Sequence, residues 1–271
     1  MPRIAFWSPD ASMTGNTHVA IAVSSLMGIT HKSTCLLMQG NYNSRKIEAS
    51  FTSYDQLKAS GAFESSNLGI NALIRLVTSS KLTSDAIENY AKPVLKDRLD
   101  VLYGMNSKDI EGYSQLVNNL PYIIRKAAEI YDIVFIDIPK TLDEQYTKAT
   151  LKDAEIVICV VNQDVVKLDE FFNTLNNSDE LKDKQKIIVI GDYENKSKLN
   201  ISNIKLKYGV KEPIYALPHN YIFSDACNSG TILDFLYRNL NADSKDYNGN
   251  FIFQALQIVE RIVELGKIKD N

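Results

Sequence analysis

Three apolar runs limit what this chain can fold into: 133–138 (IVFIDI), 156–161 (IVICVV) and 186–190 (KIIVI). A run with no polar alternation cannot leave one face in water, so each reads as a strand covered on both sides. Helical patterns stand between them, at 147–153 and 165–175. Strand, helix and strand in that order imply parallel pairing through right-handed crossovers. Shorter runs at 4–7, 33–38, 99–103 and 213–217 extend the sheet to about seven strands. Further helices are expected at 17–27, 68–77, 82–91, 113–131, 201–208, 222–227, 231–240 and 251–265. Pro93 closes the third of these. Pro121 starts a new first turn inside the fourth, with Asn118 or Asn119 as cap. The expectation is an α/β fold of three layers, α/β/α, with a mostly parallel sheet. No stretch reads as a linker, so 1–271 is read as one domain.

Ligands on such sheets sit at the carboxyl ends of the strands. The first of those ends is the stretch 4–23 (IAFWSPDASMTGNTHVAIAV), a strand, a turn-rich loop and a helix. This layout aims loop and helix N–H groups at an anion. A working phosphate loop reads GxxxxGK[ST]. Here Gly15-Asn16-Thr17 stands where GK[ST] belongs, Asp10 replaces the first glycine and Asn16 replaces the lysine. The other reading is an ordinary βα turn with Asn16 near the cap.

Charge and cysteine usage narrow the classes. A net charge of −3 provides no global field for holding nucleic acid. Cys35, Cys159 and Cys227 match no metal spacing. His31 and His219 are too scattered for a metal site, and His18 reads as a helix-surface residue. The opening MPRIAFWSPD is too short in apolar residues for a signal peptide, and no run approaches the ~18 of a spanning helix. The expected location is the cytoplasm, with peripheral contact at the inner membrane face left open. The last helix places Ile252, Leu256, Val259 and Val263 on one face, with Glu260, Arg261 and Glu264 opposite. Mixed charge there suits core packing better than anionic lipid.

Later segments carry a family resemblance. They are 131–139 (YDIVFIDIP), 154–163 (AEIVICVVNQ), 216–220 (ALPHN) and 224–230 (SDACNSG). Together with the loop they resemble, in order and over nearly the whole chain, the MinD/ParA group of P-loop NTPases, the deviant Walker A proteins of the SIMIBI class. Within that group the FWSP opening and the eroded loop are closest to TadZ/CpaE-like pilus-assembly proteins. The resemblance implies the P-loop NTPase fold, a homodimer, and ATP or ADP with Mg2+ as ligands. It matches Gly15 to the loop glycine, Thr17 to the magnesium-binding hydroxyl and Asp137 to the Walker B carboxylate. Asp137 is the one candidate for a catalytic role. Asn16 and His18 fall beside the phosphates. Pro218 lies where the chain passes the adenine, and Asp192 near where a polar residue reads it.

The departures lie in the charged groups. Ala11 stands where the family's signature lysine belongs. The acidic pair expected after the second strand is Gln39 and Asn41. An amide can hydrogen-bond water but cannot take its proton. Lys140 offers a replacement cation or reads as a solvated loop lysine. The function expected is therefore a catalytically degenerate MinD/ParA/TadZ-like scaffold for localisation or assembly, related to pili or secretion, that binds ATP with little hydrolysis. Its partners would be proteins of that system. The alternative is an active ParA/MinD-type ATPase in DNA partitioning or cell positioning.

Overall fold

Successive residues of the first strand bury on opposite sides of the sheet. Ile4 and Phe6 enter one apolar cluster, and Ala5 and Trp7 enter the other. A computed structural model describes residues 1–9, 14–40, 46–62, 68–104, 110–138 and 144–268. Its strands are β1 (Arg3–Trp7), β2 (Cys35–Gln39), β3 (Lys92–Leu95), β4 (Leu99–Leu102), β5 (Ile133–Asp137), β6 (Ile156–Val161), β7 (Gln185–Tyr193) and β8 (Ile214–Pro218). They form an eight-stranded sheet in the order β3-β4-β2-β5-β1-β6-β7-β8. Every pair is parallel except β3 with β4. The eighth strand corrects the expected seven. It is β3, a four-residue edge strand that carries Pro93, and an edge tolerates the missing N–H.

The helices are α1 (Asn16–Thr30), α2 (Lys46–Phe51), α3 (Tyr54–Ala59), α4 (Gly69–Thr78), α5 (Ser84–Tyr90), α6 (Ile110–Ala127), α7 (Glu144–Asp153), α8 (Val165–Asn177), α9 (Asp179–Lys182), α10 (Ile201–Tyr208), α11 (Tyr221–Ser229), α12 (Ile232–Asn239) and α13 (Tyr247–Gly266). On one face of the sheet, α1, α11, α12 and α13 share a core with Phe6, Leu37 and Phe135. On the other, α4, α6 and α8 share a core with Trp7, Met38 and Ile136. The three layers follow from strands that are apolar on both sides.

Helix α1 is buried without a break from Val19 to Gly28. A helix apolar all round has to be enclosed, and α1 lies between the sheet and α13. The α13 face carrying Phe251, Ile252, Ala255, Val259 and Ile262 is buried in the same core. Core packing of the last helix is thus observed. No helix among the described residues is long and apolar enough to cross a membrane.

Pro121 does not start a new helix. It sits inside α6, which runs through it. Asn119 does not cap either, because its Nδ2 donates back to the Gln115 carbonyl at 2.7 Å. Buried Leu116, Leu120, Ile123 and Ile124 hold both halves of α6 on the sheet, so tertiary packing overrides the proline. Pro121→Ala is expected to stabilise the protein by roughly 1–3 kcal/mol, since proline costs about 3 kcal/mol in a helix interior. Urea denaturation checks it, and an unchanged midpoint would mean that α6 carries no strain there.

Candidate functional site

The carboxyl ends of β1, β5, β2 and β7 converge on the start of α1. Gly15 caps α1 at φ 77°, ψ 10°, a left-handed conformation that costs glycine nothing. Its backbone lies against β7. A Cβ on Gly15 would stand 3.5 Å from the Asp192 nitrogen, and one on Gly191 would overlap the Thr14 carbonyl oxygen. Loop and strand are therefore in backbone-to-backbone contact.

Asn16 is the first helical residue and makes no capping bond. Its side chain turns inward, and Nδ2 donates to Asp137 Oδ1 at 2.8 Å and to the Phe6 carbonyl at 3.2 Å. Thr17 Oγ1 donates to Asp137 Oδ2 at 2.9 Å. The cap reading of Asn16 is thus replaced by a bond to the strand end. Asp137 is 3% exposed. Burial pushes its carboxyl up to about 6, against the hydrogen bonds from Thr17 and Asn16 and the charge of Lys46, which pull it down.

Gln39 lies beside Asp137 in the β2–β5 register. It is fully buried, and among the described residues neither its amide nitrogen nor its oxygen has a hydrogen-bond partner. Asn16 Oδ1 is buried and has no partner among the described residues either. A buried polar group left unmet costs roughly 1–3 kcal/mol, which a ligand with polar atoms would offset.

A second group flanks this centre. Asp192 adopts φ 49°, and its Oδ1 meets His219 Nδ1 at 3.2 Å. Pro218 pairs with Tyr193 across β7 and β8. His18 is half-buried rather than a surface residue, with its ring edge-on to Phe223 at 5.6 Å. Burial lowers its pKa, partly offset by the Asp192 charge.

The structure thus brings Gly15, Asn16, Thr17, Asp137 and Gln39 together, with His18, Asp192, Pro218 and His219 along the same rim. His31 is at the far end of α1. Asp10, Ala11, Asn41 and Lys140 lie outside the described residues. Two relevant residues were not singled out from sequence. Gly191 shows itself only through contact with Thr14, and Lys46 belongs to a short helix without periodicity. Chemically, the Thr17 hydroxyl and Asp137 carboxylate are hard oxygen donors of the kind Mg2+ takes. Among the described residues, no group of three histidine, cysteine or acidic side chains could hold a metal ion. Magnesium in a phosphate site needs only one or two carboxylates besides water and the phosphates.

No family model and no curated protein matches this sequence. Solved structures do match its fold. A ParA family ATPase from Chlorobium tepidum TLS superposes with a TM-score of 0.70 at 12% identity, over 95% of this chain and 98% of that one. The septum site-determining protein MinD from Pyrococcus horikoshii OT3, complexed with Mg-ADP, gives 0.67 at 18% identity, over 98% and 99%. A plasmid partition protein from Borrelia burgdorferi B31, bound to AMPPNP, gives 0.64 at 17% identity, over 98% and 99%. The architecture is that of the MinD/ParA P-loop ATPases.

Proposed function

We propose that this protein is a single-domain, MinD/ParA-like nucleotide-binding scaffold. It holds ATP or ADP with Mg2+, hydrolyses ATP weakly, and as a homodimer marks a site for pilus or secretion assembly. The observation that carries this reading is the Asp137–Thr17 pair flanked by amides. Gly15 and the first turn of α1 would hold a phosphate through backbone N–H groups. Thr17 and Asp137 would hold the magnesium. The unmet polar atoms of Gln39 and Asn16 fit such a ligand, and Asp192 and Pro218 would border the base. Magnesium, when bound, neutralises phosphate charge.

This chain's own residues do less for the chemical step. Gln39 can orient water but cannot accept its proton. Asn16 carries no charge and is turned towards Asp137. Phosphoryl transfer rests on positioning and charge stabilisation, and each missing group costs on the order of 10²–10³ in rate. The pilus or secretion role rests on the likeness of the opening and loop to TadZ/CpaE-like proteins. The location would be the cytoplasm. Contact with a membrane would run through partners, because α13 spends its apolar face on the core.

Titration with Mg-ATP, paired with a phosphate-release assay, tests the reading. Saturable binding with turnover near background is the expected result. Robust turnover that Asp137→Ala abolishes would overturn the scaffold reading. It would favour the second one, an active ATPase in DNA partitioning or cell positioning, towards which the names of the structural neighbours point. No binding of ATP or ADP at millimolar concentration would remove both.

A further inference from the structure

We infer that Gln39, the last residue of β2, reads the terminal phosphate of a bound nucleotide, so that the site prefers a nucleoside triphosphate to the diphosphate. The inference rests on the phosphate-site reading above and deepens it.

Strand order places it. β2 pairs with β5 and β5 with β1, so Gln39 stands two strands, roughly 10 Å, from the strand that leads into α1. Between them, Thr17 donates to Asp137 at the end of β5. Gln39 and Asp137 are register partners, and the Gly40 nitrogen donates to the Asp137 carbonyl at 3.0 Å, which holds the end of β2 on β5. Both side chains belong to the face that α1 covers, since Leu37 and Phe135, two residues earlier, pack in the α1 core. The other end of the row differs in kind. Beyond β8, Tyr221 and Tyr247 are exposed, with ring centroids 5.6 Å apart. The Tyr247 hydroxyl accepts from the Tyr221 nitrogen and donates to the His219 carbonyl, both at 3.1 Å. Fixed, solvent-facing rings suit a flat base, and a buried amide suits a small polar group. The nucleotide then lies along the strand ends, its base towards β8 and its phosphates running past Gly15 and Asp137 to Gln39. Only a third phosphate reaches that far.

The amide is equipped for that group. Its nitrogen donates and its oxygen accepts, and among the described residues both are without a partner although the side chain is fully buried. A phosphate oxygen accepts only, and meets the nitrogen. A water on the phosphate or the magnesium donates, and meets the oxygen. An ionised carboxylate at this position would offer no donor. The amide at Gln39 thus adds a contact to the last phosphate and removes the proton acceptor that would help to cleave it. The site recognises the triphosphate and keeps it.

The test is calorimetric titration of the intact protein with Mg-ADP and with the non-hydrolysable Mg-AMPPNP. The parent is expected to bind Mg-AMPPNP roughly 10- to 100-fold more tightly, the range of a hydrogen bond to a charged group. Gln39→Met keeps the length of the side chain and loses both amide ends. It should lower Mg-AMPPNP affinity by roughly tenfold or more beyond any change in Mg-ADP affinity. Without ligand the same variant should melt a few degrees above the parent, because a buried amide with unmet bonds is gone; an amide with a merely structural role would give a drop. Parental affinities equal within about twofold, or a Gln39→Met loss equal for both nucleotides, would overturn this inference alone. No binding of either nucleotide by the parent would overturn the phosphate-site reading, and the inference with it.

Discussion

Asp137→Asn is expected to make the protein more stable at neutral pH and unable to hold Mg-ATP. The two effects have one cause. Asp137 is buried, and its carboxyl is pushed up to about 6. An unfolded aspartate titrates near ~3.9. The folded form therefore binds more protons than the unfolded form between those values. The stability from this group is fully present below about pH 4 and is lost as pH rises through about 6. At pH 7.5 the ionised, buried carboxylate costs on the order of 3 kcal/mol, about two units at 1.36 kcal/mol each. An asparagine has the same shape and no charge to desolvate. Asn16 can turn its amide so that the unpartnered Oδ1 accepts from the new side chain, and Thr17 can still donate. A melting temperature several degrees above the parent at pH 7.5, with the gap roughly halved at pH 5 and closed only below about pH 4, is the expected result. Mg-ATP binding by the same variant should fall below detection, because the charged carboxylate donor for the metal is replaced by a neutral amide. Parallel pH dependence in parent and variant would show that Asp137 is not where the strain lies.

The same residue shows why the fold was more legible than the site. IVFIDI is apolar on both faces, and only a central parallel strand accommodates that, so β5 and its neighbours could be read directly. The features that escaped are those that tertiary context decides. β3 is short, mostly exposed and carries Pro93, so neither periodicity nor burial marks it. α6 runs through Pro121 because its apolar face is held on the sheet. In the site, the family resemblance pointed to Gly15, Thr17 and Asp137, which lie together at the start of α1 and the end of β5. It could not give the direction of the Asn16 side chain, which the Phe6 carbonyl and Asp137 set across 10 and 121 positions of chain. Nor could it give the role of Gly191. In the sequence that glycine follows the apolar run 186–190 and looks like a turn residue, whereas it lies within β7 with Thr14 against it.

Gly191→Ala is expected to harm the site more than Gly15→Ala, although Gly15 is the motif residue. At Gly15 the nearest atom to a new Cβ is 3.5 Å away, so an alanine fits in space. Its cost is the left-handed conformation, roughly 1–2 kcal/mol. At Gly191 a Cβ would overlap the Thr14 carbonyl and stand 3.1 Å from Val160 Cγ1. Both obstacles are firm: one is backbone, and the other belongs to a buried central strand. Helix α1 cannot retreat, since Val19 to Gly28 are enclosed by sheet and helices. The displacement therefore falls on Thr14 and Gly15, the link that sets the first turn of α1 over Asp137. Overpacking of this kind costs roughly 1–3 kcal/mol or more. A loop shifted off its strand should also lose the Thr17 and Asn16 bonds to Asp137 and weaken Mg-ADP binding by more than roughly tenfold, as those charge-assisted bonds go. Chemical denaturation and Mg-ADP titration of the two variants, side by side, read both effects. If Gly15→Ala proves the more damaging for binding, the conformation of the loop rather than its seat on β7 governs the site, and the backbone contact between Thr14 and Gly191 is incidental.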